Sequence, residues 1–137
     1  RLLDGPAAAK KAYLAILEKD RTEIKAMSEL ATLALREGKI PQAIKWLDRA
    51  SKTSPTAIKP HLRLVNLLIQ ERQLAEARQI MESLENRAPR NLAVLDAKAR
   101  IQLANGNQAG AIQNYRSAAN VAANDAAQLF RISKVQI

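Results

Sequence analysis

Cysteine is absent from the sequence, which excludes disulfides, thiolate metal sites and thiol catalysis. Aromatic residues make up only 3% of the chain while hydrophobic residues make up 47%, so the apolar content lies in Ala, Leu, Ile and Val. That composition suits closely packed helices and argues against a β-sandwich, whose strands draw on Tyr, Trp, Thr and Val. Four Gly and five Pro among 137 residues are too few for a loop-rich or disordered chain. No apolar run approaches the ~20 residues of a membrane span. There is no glycine-rich phosphate loop, and the acidic residues show no metal-ligand spacing. The single histidine, His61, follows Pro60 and has no Ser or Asp at a fixed partner spacing. It reads as a surface or packing residue rather than a catalytic one. No enzyme activity, cofactor or metal is expected.

Positive charge is abundant by contrast. Lys and Arg number 22 against 13 Asp and Glu, a formal charge of +9 and a pI near 10.3. Such a balance invites an anionic partner, either nucleic acid or an acidic polymer. Lys and Arg are also good helix formers on solvated faces, which accounts for part of the excess.

The second abundant feature is periodicity. Ala43, Ala77 and Ala111 are spaced by 34 residues, as are Leu47, Met81 and Tyr115, Leu30 and Leu64, and Pro55 and Pro89. Gly38 and Gly106 stand two such periods apart, with Arg72 midway. Each position has a physical job. Glycine ends the first helix of a hairpin in a left-handed turn. Alanine lets two helix axes approach closely, and the larger residue one turn on fills the space beside it. Proline stops the second helix.

This pattern resembles the tetratricopeptide repeat. The resemblance implies an all-α superhelix of stacked helical hairpins serving as a binding scaffold. The chain is expected to divide into a half repeat at 1–21, full repeats at 22–55, 56–89 and 90–123, and a half repeat at 124–137, giving about eight antiparallel helices. They are predicted at 6–19, 22–37, 40–53, 57–71, 74–87, 91–105, 108–121 and 125–136, with Thr56, Asn91, Asn107 and Asn124 as caps. Three departures stand out. Arg72 in the middle turn predicts a different bend. Lys98 replaces an apolar residue, so either helix packing is looser there or its ammonium snorkels outward. Ala123 stands where Pro55 and Pro89 close the earlier repeats. The chain begins at Arg1, and its half repeats are expected to continue in a longer parent. Cut repeats of this kind would favour end-to-end self-association.

In such a superhelix the first helix of each repeat lines the concave face. By phase the candidate partner-binding residues are Lys25, Ser28 and Thr32, then Lys59, Leu62 and Asn66, then Asp96 and Arg100, and finally Phe130 and Lys134. The expected occupant is a protein or peptide, with an acidic polysaccharide as the alternative. The alternative reading is a basic module for a polyanion, acidic polysaccharide or nucleic acid, and of the two nucleic acid is the less expected, because Phe130 is the single aromatic placed to stack in the groove.

Three phrases, "IKPHLRLVNLLIQERQLAEAR", "NLAVLDAKARIQLANGNQAGAIQNYRSA" and "DAAQLFRISKVQ", also resemble the repeat lipoprotein of bacterial exosortase (PEP-CTERM) systems. That narrower resemblance implies an envelope scaffold linked to exopolysaccharide export, periplasmic or outer-membrane-associated through its parent. The alternative compartment is the cytoplasm.

Overall fold

The computed structural model describes residues 5–135, with side chains described as far as Arg131. Seven helices account for nearly all of it: α1 (Gly5–Lys19), α2 (Ile24–Arg36), α3 (Ile40–Thr53), α4 (Ile58–Gln70), α5 (Leu74–Arg87), α6 (Leu92–Ala104) and α7 (Gln108–Val135). No strand occurs among the described residues. The helices form two compact units, Arg1–Leu67 and Leu68–Ile137, and α4 contributes to both.

In the first unit α1 and α3 both pack on α2. Leu17, Met27, Leu30 and Ala50 form its core, and Tyr13, Ile24 and Trp46 close around them. Met27 is completely buried and Leu30 nearly so; burial of side chains this size stabilises the fold by about 1.5–3 kcal/mol each. In the second unit α6 packs against α5 and α7. Met81 and Leu84 from α5 are buried there, as are Val94, Ala97 and Ile101 from α6. Ala43, Ala77 and Ala111 are all at 0% exposure. A methyl group is the largest side chain that such close crossings accept.

The three first-helix ends are built alike. Lys39 N donates to Ala34 O at 2.8 Å and Gly38 N to Leu35 O at 3.1 Å. Gln73 N donates to Leu68 O at 2.8 Å and Arg72 N to Ile69 O at 3.0 Å. Asn107 N donates to Gln102 O at 2.8 Å and Gly106 N to Leu103 O at 3.0 Å. This paired closure requires a left-handed residue. Gly38 and Gly106 supply it at φ 74° and 80°, and Arg72 adopts the same conformation at φ 61°. The different bend expected at Arg72 is therefore not found. The hydrogen-bond pattern forces one turn geometry, and arginine takes the backbone strain that glycine avoids.

Lys98 occupies the register position of Leu30 and Leu64. Its ammonium snorkels and pairs with Glu85 of α5 at 3.3 Å. Two periods earlier the corresponding residues, Leu17 and Leu30, belong to one apolar cluster. An apolar contact has thus been exchanged for an ion pair.

The largest departure from expectation is α7. The stretch read as two helices, 108–121 and 125–136, is one helix of 28 residues. Asn107 caps it, accepting from Gly110 N at 2.9 Å, whereas Asn124 lies inside it. The reason is local. "NVAANDAAQ" contains neither proline nor glycine, and its alanines favour continuation. Pro55 and Pro89 follow the ends of α3 and α5; Ala123 imposes no such stop. Leu129 and Phe130, on the distal part of α7, are 68% and 62% exposed.

Candidate functional site

A cleft of about 420 Å³ opens between the N-terminal turns of α2 and α4. Lys25, Ser28 and Glu29 line it from α2, and Lys59, Pro60 and Arg63 line it from α4. Lys25 and Lys59 each take the second position of their helix. The helix dipole disfavours a cation there by about 0.3–1 kcal/mol, and both lysines line the opening. Glu23 caps α2, its carboxylate accepting from Lys25 N at 3.2 Å. Pro60 sits in the first turn of α4, where the absent N–H has no helical partner to lose.

Arg63 ties the two helices together. Its guanidinium donates to Ser28 O at 3.3 Å and to Thr32 Oγ1 at 3.0 Å. Thr32 Oγ1 in turn donates to Ser28 O at 3.1 Å. The cleft thus carries Lys25, Lys59 and Arg63 against Glu29 alone, an electrostatic match for an anionic group.

Of the residues singled out by phase, Lys25, Ser28 and Lys59 line this cleft, and Thr32 belongs to its hydrogen-bonded wall. Leu62 is half-buried and Asn66 exposed on α4. In the other unit Asp96 and Arg100 pair with each other along α6, Arg100 Nε donating to Asp96 Oδ2 at 3.0 Å. Phe130 lies on the distal part of α7 rather than on a separate returning helix. The Lys134 side chain lies outside the described residues. Arg63 and Glu29 were not anticipated. Their signal was opposite charge at one register position in successive repeats, 34 residues apart.

His61 is buried in the first turn of α4, and its Nδ1 contacts Ala57 O at 2.5 Å. A carbonyl partner requires Nδ1 to carry the proton. The ring is thus held against the backbone at the start of α4. Among the described residues there is no group of three or more potential metal ligands. No helix there is long and apolar enough to cross a membrane.

Comparison with known proteins places this geometry. Residues 47–101 match the family model of the tetratricopeptide repeat. No curated protein sequence matches the chain. Among solved structures, a crystal structure of MamA superposes with a TM-score of 0.71 at 14% identity, covering 82% of this chain and 66% of that one. A second MamA crystal structure gives a TM-score of 0.75 at 16% identity over 88% and 66% of the two chains. MamA residues 41 to the end from Desulfovibrio magneticus RS-1 gives 0.72 at 14% identity over 85% and 66%. The chain spans just under two thirds of the length of these structures. Likeness at such identities is likeness of fold. Residues 47–101 thus resemble the tetratricopeptide repeat in sequence, and the all-helical fold is like that of the MamA structures.

Proposed function

We propose that the chain is a non-catalytic protein-interaction scaffold, and that the cleft between α2 and α4 receives an acidic segment of a protein partner. The observation that carries this reading is that Lys25, Lys59 and Arg63 line one cleft in which Glu29 is the one acidic lining residue. Tetratricopeptide folds present side chains on rigid helices, so a cationic cleft needs little reorganisation to bind. The test is fluorescence anisotropy with a labelled Asp/Glu-rich peptide and its Asn/Gln counterpart. The acidic peptide should bind, the neutral one should not, and Lys25→Glu with Lys59→Glu should weaken binding at least about tenfold, which corresponds to about 1.4 kcal/mol. Equal binding of both peptides would remove the cleft from consideration.

A second reading follows from the overall charge of +9: the basic surface binds an acidic polysaccharide or nucleic acid without using one cleft. Polyanion binding of that kind releases counterions and collapses as salt rises. It would also survive the two cleft substitutions. A place in the bacterial envelope, in association with exopolysaccharide export, rests on the narrower lipoprotein resemblance alone. Localisation of the tagged parent protein tests it, and a cytoplasmic signal would count against it.

A further inference from the structure

On α7 the two halves of one helix–helix interface lie on a single helix. Three repeat periods before Tyr115, Ala119, Ala126 and Leu129 stand Tyr13, Leu17, Ile24 and Met27. Tyr13 and Leu17 belong to α1, Ile24 and Met27 to α2, and all four pack in one apolar cluster. One period before Tyr115 and Leu129 stand Met81 of α5 and Leu95 of α6, and both are buried. The α5–α6 pair keeps a cavity of about 370 Å³, with Met81, Glu85, Lys98 and Ile101 in its lining. Pairing of this kind therefore does not need a bulky residue at every position. On α7 the four matched positions are all exposed, Tyr115 at 39% and Leu129 at 68%.

The cause is a missing turn. α1 and α2 are joined through Asp20, whose carboxylate accepts from Thr22 N at 2.9 Å and whose carbonyl accepts from Glu23 N at 3.3 Å. Ala122 stands at the register position of Asp20, and Ala123 at that of Pro89 in the α5–α6 turn. Neither alanine stops a helix, so α7 runs on. Tyr115 and Leu129 stay about four turns, roughly 21 Å, apart on it and cannot meet within one molecule.

We propose that two copies of this chain pair through α7. The two helices run antiparallel about a two-fold axis near residues 123 and 124. The distal half of each lies on the proximal half of the other, as α2 lies on α1. A second copy is the occupant because the chain itself carries the matching face for each half, and such a pair closes on itself. Ala119, Ala122 and Ala126 flank the axis, and side chains this small let two helix axes approach closely. The pairing is set by concentration, so a single molecule keeps the exposure described above. It is a reciprocal exchange through one helix, not an end-to-end stacking of half repeats. No residue of the α2–α4 cleft takes part.

The test is sedimentation equilibrium of the 137-residue chain over a concentration series. The mass should rise from 15.1 kDa to twice that value. Added salt should not weaken the pair, because the contact is apolar and each copy carries a charge of +9. Leu129→Glu should raise the dimer dissociation constant at least about tenfold. Its helix content at low concentration should match the parent's, since Leu129 is exposed in the single molecule. Ala122→Glu, at another exposed position, gives the same reading if Leu129→Glu does not fold. The chain has no cysteine, so an Ala119→Cys variant mixed with a Leu129→Cys variant should join as a cross-linked heterodimer with a short bismaleimide. A monomer mass at every concentration would overturn the proposal. So would association that survives both glutamate variants, which would place the contact elsewhere. A cross-link within one monomer carrying both cysteines would also overturn it, because the distal half would then fold back on its own chain.

Discussion

Arg72 holds a backbone conformation that costs an L-residue about 1–2 kcal/mol. Its side chain returns part of this through a long, exposed hydrogen bond from Nη2 to Ala104 O at 3.4 Å. Arg72→Gly removes the strain and the bond together and should stabilise the chain by about 0.5–1 kcal/mol net. Arg72→Ala keeps the strain and loses the bond, so it should destabilise. Urea denaturation midpoints in the order Gly, Arg, Ala would bear this out; Ala above Gly would refute it. A second residue-scale prediction concerns the turn between α1 and α2. Thr22 Oγ1 and its backbone N–H donate to Asp20 Oδ1 at 2.6 and 2.9 Å. These bonds, the hydroxyl's foremost, hold the Asp20 carboxyl below its ordinary value of 3.8. A depressed carboxylate stabilises the fold fully above its ordinary value, and that contribution is lost as pH falls through the folded value. The Asp20 carboxyl carbon should therefore titrate below 3.8 by NMR. Thr22→Val, which keeps only the backbone donor, should move the midpoint upward.

At the scale of whole elements, two helices break the repeat pattern. On α6 the Lys98–Glu85 pair is about one third exposed on each side, a setting in which ion pairs contribute about 0–1 kcal/mol. Restoring the apolar contact of the first unit with Lys98→Leu/Glu85→Leu should raise stability by about 1–2 kcal/mol, read from thermal melts. The same change would empty the rim of the α5–α6 cavity of one cation. On α7 the missing stop at Ala123 can be put back. Ala123→Pro costs about 3 kcal/mol of local helix, yet the described side chains from Ala122 to Arg131 are all exposed. Fraying that distal part is therefore easier than unfolding the unit. Global stability should fall by less than about 1 kcal/mol, while amide exchange beyond position 123 accelerates. Ala111→Pro, at a fully buried helix crossing, should instead cost at least about 3 kcal/mol.

For the whole molecule, the excess of 9 positive charges makes salt act with opposite signs on two quantities. Screening relieves self-repulsion, so the unfolding temperature should rise as salt is added from low ionic strength. The same screening should weaken the acidic peptide. A melting temperature that falls over that range would show that attractive pairs such as Lys52–Asp48 at 2.9 Å outweigh the net charge.

Repeat length, hairpin composition and six of the helices follow from the sequence because they depend on local chemistry. A left-handed residue closes each turn, alanine sits at each crossing, and Pro55 and Pro89 end two second helices. Lys25, Ser28 and Lys59 were singled out by phase among the first-helix residues, and the fold brings these three to one cleft. The length of α7 required weighing an absence: nothing after Val121 stops the helix, and a repeat template supplies a stop that the residues do not. The register of Arg63 with Glu29 could be read from the repeat, but its bonds to Ser28 and Thr32 were set by tertiary structure, because those partners lie on another helix. The α5–α6 cavity was equally hidden. It is lined from two helices, by Met81 and Glu85 of α5 and by Lys98 and Ile101 of α6, and space left unfilled is a property of packing that no single residue type encodes.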